Sequence, residues 1–513
     1  MLPLLRAPQT DRTYFLHPPP EDIQRTIHQN VERFRRLKIT IDGMSVLELQ
    51  RLLRSEIAPW TDPPLPVIPA QGDGPLFVSG HQPELDHPGV WLKHFFLHGL
   101  SREFGAIPLH LVADHDLPKR NCLYVPRVPQ TEREFATRAF VPYDSADVTT
   151  PYEFRPVYDA QLFSNLPRRL LPLAQAWNFE PLALQVWPRG VSPGLRLVDL
   201  LASIRRNLER QWGCRNHELP VSKLAQTEAF RRFARHLMTD LPRFRRIYNS
   251  TVQHFRDEQA VRQPVRSLAE LEPDEAPFWE IRGKQRLRAT RQSPLEALRP
   301  RAITLTLFCR LVLGPCFIHG LGGALYDQIT DALSTEYFGE PPPVYLVVTA
   351  TMYLPLSSAI GACCGVKPGD NSARLHPTLL RHLWRDVYWN PQRHLPADAP
   401  LEARQLAEHK LACIRHEPPR EEHAARRRWF QTLRTLTESL RSYVGKSLQT
   451  LQHQYQLSQQ CQKCQEVFRR RDYSWVLFPE DVLRPFLTQF LDWKHIIREQ
   501  TCLLDDRCEG TQR

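Results

Sequence analysis

Three stretches gather side chains that can move protons, hold anions or bind a metal. The first, FVSGHQPELDHPGVWLKHFFLHG (77–99), sets Gly80, His81, Gln82 and His87 between an apolar run ending in glycine and a helical pattern starting near Pro88. A strand that hands over to a helix leaves backbone N–H groups facing the gap. These groups and the helix dipole attract phosphate or carboxylate. Proline suits the first helical turn because it lacks an N–H that would go unpaired there. A histidine in the gap can donate to an anion or carry a proton near neutral pH; it can also simply cap the helix.

The second stretch, VADHDLPKRN (112–121), places Asp114, His115 and Asp116 at the end of another apolar run. Strand alternation would send the two aspartates to one side and His115 to the other. Two carboxylates on one side could hold Mg2+ or orient a base; a polar turn paired with Lys119 and Arg120 accounts for the same residues. The third, FIHGLGGALYDQITD (317–331), has Gly320, Gly322 and Gly323 after His319, with Tyr326 and Asp327 on the first helical turns and Asp331 four residues on. Such a loop permits close backbone approach to a ligand. No GK[ST] follows, so it is not a Walker loop, and a tight strand-to-helix turn is the competing reading. Upstream, Arg299 and Arg301 are either anion clamps or surface charge.

These residues need elements to hold them. PLFVSG, HPGVWLKHFFLHGLSREFG and IPLHLVADHD read as strand, helix and strand, the βαβ unit of a parallel sheet. Such units cross over right-handed and bind ligands beyond the carboxyl ends of their strands. FIHGLGGALYDQITDALSTEYFG repeats strand, glycine turn and helix, and PVYLVVTATMYLP is a β-branched strand that ends the core. The three polar junctions would then line one cleft. Residues 20–57 read as two helices, followed by the proline-rich linker PWTDPPLPVIPAQGDGP. About 155–275 reads as a helical insertion, and APFWEIRGKQRLRAT as a hairpin. Trp429, Leu433, Leu436 and Leu440, then Val444, Leu448, Leu451 and Tyr455, alternate spacings of four and three with a slip near Gly445. That seam predicts an antiparallel helical hairpin or coiled coil, used for packing or dimerisation. The expected division is a helical segment over 1–60, an α/β core over 61–395 and a helical coiled-coil domain over 396–513.

Composition narrows the class. No run of about 18 apolar residues occurs, so a membrane span is not expected, and the first residues hold too short an apolar run for a signal peptide. A cytoplasmic location is the expectation. The net charge of +11 sits largely on arginine-rich helices without a nucleic-acid motif, so nucleic acid is not the expected partner. Eleven cysteines in such a chain read as reduced thiols. Cys461 and Cys464 form a CxxC on a glutamine-rich helix, a poor match to paired zinc ligands.

The order SGHQPELDHPGVWLKH, IPLHLVADHDLPKRN, LRPRAITLTLF, FIHGLGGALYDQITDAL, a helical seam and RRDYSWVLFPEDVLRPFL resembles the bacillithiol biosynthesis cysteine-adding enzymes (BshC). Gly80 and Gln82 match that family's glycine–glutamine element, and Asp114, His115, Asp116 and Asn121 its acidic–histidine element. His81 stands in place of a second glutamine, and FIHGLGGALYD replaces a glycine-proline-glycine-glutamate element. The resemblance implies a Rossmann-like parallel-sheet core with helical insertions and a C-terminal α-helical coiled coil supporting a homodimer. It also implies ligation of cysteine to an amino-sugar conjugate, glucosaminyl-malate. A carboxylate does not acylate an amine unaided, so ATP or ADP with Mg2+ is the expected cofactor. On this reading His81 or His115 is base or phosphate ligand, and Asp114 and Asp116 bind metal or position the amine. Gly80, Gln82, His87, Asn121, Arg301, His319, Gly320, Gly322, Gly323, Tyr326 and Asp327 would contact substrate or nucleotide. Two other readings stay open: a nucleotidyl-transferase-like enzyme on the same core, and a non-catalytic dimeric ligand-binding protein.

Overall fold

A computed structural model describes residues 5–65, 74–129, 134–145, 147–192, 194–260, 268–356 and 376–497. The part of the proline-rich linker over 66–73 lies outside them. In chain order the elements used below are β1 (Thr13–His17), α1 (Pro20–Arg36), α2 (Val46–Ile57), β2 (Leu76–His81), α3 (Pro88–Glu103), β3 (Ile107–Val112), β4 (Cys122–Arg127), β5 (Thr137–Pro142), α4 (Leu197–Gln211), β6 (His217–Pro220), α5 (Glu228–Thr239), α6 (Leu241–Ala260), β7 (Glu275–Arg282), β8 (Gln285–Thr290), β9 (Leu298–Pro300), α7 (Ala302–Phe308), β10 (Cys316–His319), α8 (Leu321–Leu333), β11 (Leu346–Thr351), α9 (Pro377–Trp389), α10 (Leu401–Arg415), α11 (His423–Arg441), α12 (Gly445–Phe468) and α13 (Glu480–Thr488).

The central sheet has the order β1-β11-β10-β2-β3-β6. All neighbours are parallel except β1, which runs antiparallel to β11. From β2 the chain builds outward through β3 to β6, then returns to β10 on the other flank and continues to β11. The order therefore reverses between β2 and β10, where an open α/β sheet forms a crevice at its carboxyl edge. The expected βαβ unit is present as β2, α3 and β3.

Strand alternation divides the core. Leu76 and Val78 of β2 and Leu109 and Leu111 of β3 join one apolar cluster with α2, α5 and α7; Phe77 and Val112 join the other, with α3 and the residues from Tyr473 to Ile496. Helix α3 is buried nearly all round, Lys93 and His94 included, because it lies between the sheet and that C-terminal segment. The contact is close at both ends. A side chain at Gly89 would come within 2.0 Å of the Ala350 carbonyl on β11, and one at Gly99 within 2.1 Å of the Phe490 carbonyl.

Several features depart from expectation. The N-terminal stretch supplies β1, an edge strand, before its two helices. The stretch read as a helical insertion supplies β6, the opposite edge strand, paired with β3. Strand β11 is the last strand in chain order among the described residues, as expected, and lies between β1 and β10 in the sheet. The seam residues do not fold back at Gly445: α11 continues into α12 through a single 3-10 turn, Ser442–Val444, in which Gly445 keeps helical angles. Helix α11 packs on α10 and α12 on α9. Residues 275–290 form the expected hairpin, β7 with β8.

Candidate active site at the carboxyl edge of the sheet

Strand β2 ends at His81. Its register with β3 sets Ser79 opposite His110 and His81 opposite Val112, so Ser79, His81 and His110 share the face covered by α3. From α3, Trp91 and His94 reach the same place one turn apart. The strand end, the 82–86 loop, α3, Arg205 of α4 and Trp475 line a tight cavity of about 20 Å³, room for about one water. Trp475 closes it by packing on Trp91 (ring centroids 4.2 Å apart), and its backbone N–H donates to the Asp86 carbonyl at 2.8 Å.

His81 and Asp86 form an ion pair here, Nδ1 to Oδ2 3.0 Å, with 23% and 14% of their side chains exposed. Burial alone would raise the Asp86 acid. The His81 imidazole, with Lys119 and Arg120 beyond it, outweighs burial and holds the acid down to about 2. Nδ1 also lies 3.2 Å from the Gln82 carbonyl; a carbonyl there holds the proton on Nδ1 and leaves Nε2 as the basic nitrogen, with the Asp86 carboxylate alongside. Glu84 lies beside the pair. Burial first, and then the Asp86 carboxylate, push its acid above the ordinary range. Lys93 donates to the Gly80 carbonyl at 2.9 Å, and burial lowers its ammonium to about 8.

In the cavity wall the His94 and His110 rings lie tilted at 40° with centroids 3.9 Å apart, and Ser79 Oγ lies 3.0 Å from His110 Nδ1. Burial drives both imidazoles well below their ordinary range, so both are neutral at physiological pH. Arg205 is held between Glu209 (2.8 Å) and Glu218 (2.6 Å), and Trp91 Nε1 donates to Glu209 at 2.6 Å. His94, Glu209 and Glu218 bring ligand-type atoms within 4.8 Å of one another. The Arg205 guanidinium already supplies the positive charge there, so the cluster reads as a balanced ion network.

Of the residues singled out from sequence, Gly80, His81 and Gln82 meet at this edge, and Gln82 Nε2 donates to Asp116 Oδ2 at 2.8 Å. Asp116 also pairs with Arg286 of β8. The two aspartates do not converge. The strand stops at Val112 and the chain turns, so Asp114 instead accepts from the Ser222 backbone at 2.8 Å and from its hydroxyl. His115 is buried and bonded to the Pro300 carbonyl; burial lowers it to about 4, and its Nδ1 has no partner among the described residues.

His87 is the N-cap of α3. Its Nδ1 accepts from the Gly89 N–H at 3.0 Å, and its Nε2 donates to the Met352 carbonyl at 2.7 Å. Together with the close packing of Gly89 on β11, this means that the amides at the start of α3 do not form the anion pocket expected there. Asn121 bonds the Ser145 carbonyl at the base of the β4–β5 hairpin. Arg301 ties β7 to α7 through Glu275 (2.6 Å) and lies over Trp279. Both stand away from the cavity lining.

His319 points to the opposite sheet face from His81. There it bonds Asp327 at 2.8 Å, and Arg310 bonds Asp327 at 2.8 Å and Asp331 at 2.6 Å. This buried triad anchors α8 to β10. Gly323 packs against the His319 ring, where a side chain would meet Nδ1 at 2.5 Å. Tyr326 is partly buried on the apolar cluster beneath α8. Gly320 and Gly322 have open space beside them, and no side chain caps the helix.

Sequence reasoning missed Glu84, Asp86, Lys93, His94, His110, Arg205 and Trp475. One signal was available: Lys93 and His94 interrupt an otherwise apolar helix, and Ser79 and His110 are polar residues inside apolar strands. A scan of protein-family models and a search of curated protein sequences both return no match to this chain.

Proposed function

We propose that the chain is an amide-forming enzyme, a cysteine ligase acting on an amino-sugar conjugate such as glucosaminyl-malate. The observation that carries this reading is the His81–Asp86 pair at the end of the central strand, opening on a small polar cavity beside the point where strand order reverses. Amide formation needs the amine as a free base. His81, oriented by Asp86, takes the amine proton on Nε2 as the new C–N bond forms and the group that activates the carboxyl leaves its carbon with the bonding pair. His94 and His110 line the same cavity, with His94 Nδ1 held by Arg205 (3.1 Å) and Glu209 (3.0 Å) and His110 Nδ1 by Ser79 (3.0 Å). The five parallel strands in a reversing order support a Rossmann-like core.

ATP when bound supplies activation of the carboxyl group. The amides of Leu321, Gly322 and Gly323 would hold its phosphates, since α8 starts without a side-chain cap and with open space beside Gly320 and Gly322. Asp114 and Asp116 do not fit a shared Mg2+, because Ser222 engages one and Gln82 and Arg286 engage the other. The helical arm α9–α12 is the dimerisation element in this reading. The test is incubation with cysteine and glucosaminyl-malate, with and without ATP, read by mass spectrometry. A condensed thiol is expected only with ATP, and no condensed product from folded protein would overturn the reading.

A further inference from the structure

Both groups that face His81 Nδ1 belong to the 82–86 loop: Asp86 Oδ2 at 3.0 Å and the Gln82 carbonyl at 3.2 Å. The near end of this loop is well tied. Gln82 Nε2 donates to Asp116 at 2.8 Å, and Glu84 accepts from the Lys119 backbone N–H at 3.0 Å. Leu85 and Asp86 lie in neither helix nor strand. Among the described residues, the one backbone hydrogen bond either of them makes runs from the Trp475 N–H to the Asp86 carbonyl, 2.8 Å.

A backbone donor keeps its aim only while its own segment is held, since a hydrogen bond weakens steeply as its angle falls. The Trp475 indole supplies that hold. It is 1% exposed and packs on Trp91, which is itself fixed to Glu209 through Nε1 at 2.6 Å. On either side, Asp472 pairs with Arg138 at 2.6 Å, and the Phe478 carbonyl accepts from the Leu182 N–H at 3.0 Å. The segment that follows α12 is thus fastened to α3 and directs one N–H at the part of the loop with least support.

We infer that Trp475 is a positioning residue: its ring on Trp91 presents its N–H to Asp86, and this keeps the acceptors of the His81 Nδ1 proton in place. It acts through the loop and not on the reacting atoms. The inference rests on the proposed amide-forming reading for its catalytic consequence, since a loosened loop would leave His81 Nε2 poorly oriented as a base. Its structural content is tested without substrate.

The test is solvent exchange of the His81 Nδ1 proton, followed by nuclear magnetic resonance on the full chain labelled with nitrogen-15 at histidine, the signal being the one that His81→Gln removes. Trp475→Leu is expected to quicken this exchange about 10-fold, the worth of one hydrogen bond. Trp475→Phe keeps a ring on Trp91 and should stay close to wild type. Trp187→Leu removes another buried indole of the same apolar cluster, stacked on Phe163, and should leave the rate alone. Exchange too fast to follow in the wild-type chain, no change in Trp475→Leu, or equal quickening in Trp187→Leu would overturn the assignment. The Trp475 amide of the wild-type chain must also resist exchange; a freely exchanging amide overturns the assignment whether or not Trp475→Leu folds. The expected exchange pattern without any amide product would sink the ligase reading and leave Trp475 in its role; product with unchanged exchange in Trp475→Leu would do the reverse.

Discussion

Individual residues at the carboxyl edge of the sheet fall into two groups, those whose polar atoms are consumed by the fold and those that are not. His87, Asp114, Asn121, Arg301 and the His319–Asp327–Arg310 triad belong to the first. Asp86 and Glu84 each keep a buried oxygen without a hydrogen-bond partner among the described residues, and with His81 they line one cavity. If Asp86 orients His81, Asp86→Asn should lower turnover about 100-fold or more with little change in KM, because the wrong tautomer is then favoured; steady-state kinetics would check this. The buried imidazoles make a separate prediction about stability. His87 and His115 are lowered by burial from 6.5 to about 4, so the unfolded chain binds more protons than the folded one between those values. Their stabilisation is complete above pH 6.5 and is lost as pH falls toward 4, on the order of 1–3 kcal/mol per imidazole. Urea unfolding between pH 7 and 4.5 should show a falling midpoint, and His115→Leu should flatten the slope. A midpoint constant over that range would contradict the burial of these groups.

At the level of elements, much was legible because local pattern and tertiary need agree. The run PLFVSG is strand-like and becomes β2, and HPGV carries a histidine cap and a first-turn proline that begin α3. The hairpin β7–β8 follows from its glycine turn. What was not legible depends on partners distant in sequence. The short strands β1 and β6 gain their state by pairing with β11 and β3, and nothing in TYFLH or HELP distinguishes them from loop. The seam through Gly445 has the spacing of a folded-back pair, yet Gly445 sits at helical angles and each half finds another helix. His87 illustrates the same limit at the site: the sequence permits either cap or ligand, and the Met352 carbonyl, 265 residues away, decides for the cap. The packing of α3 on β11 carries its own prediction. Gly89→Ala would drive a methyl group to 2.0 Å from the Ala350 carbonyl. Overpacking of that kind should cost about 1–3 kcal/mol and lower the thermal midpoint. Unchanged melting would mean that α3 does not start against β11.

On the scale of the whole molecule, no helix among the described residues is long and apolar enough to cross a membrane. The helical arm leaves Leu401, Ile414 and Phe430 exposed at 72%, 41% and 59% on α10 and α11. If the arm dimerises as proposed, sedimentation should give twice the chain mass, with Phe430→Glu shifting the protein to monomer. A monomeric wild-type chain would remove the dimer from the account. The C-terminal segment returns from this arm to close the site, placing Trp475 on Trp91 and its N–H on the Asp86 carbonyl. The lining of the cavity therefore joins stretches far apart in sequence. The central claim is that the oriented imidazole of His81 moves the amine proton during amide formation. The most direct measurement compares the rate of condensed thiol formation from cysteine, glucosaminyl-malate and ATP by the wild-type chain and by His81→Ala, with folding matched by circular dichroism. The account predicts product from the wild-type chain and a loss of about 100-fold or more in the variant; equal rates, or no product from either protein, would contradict it.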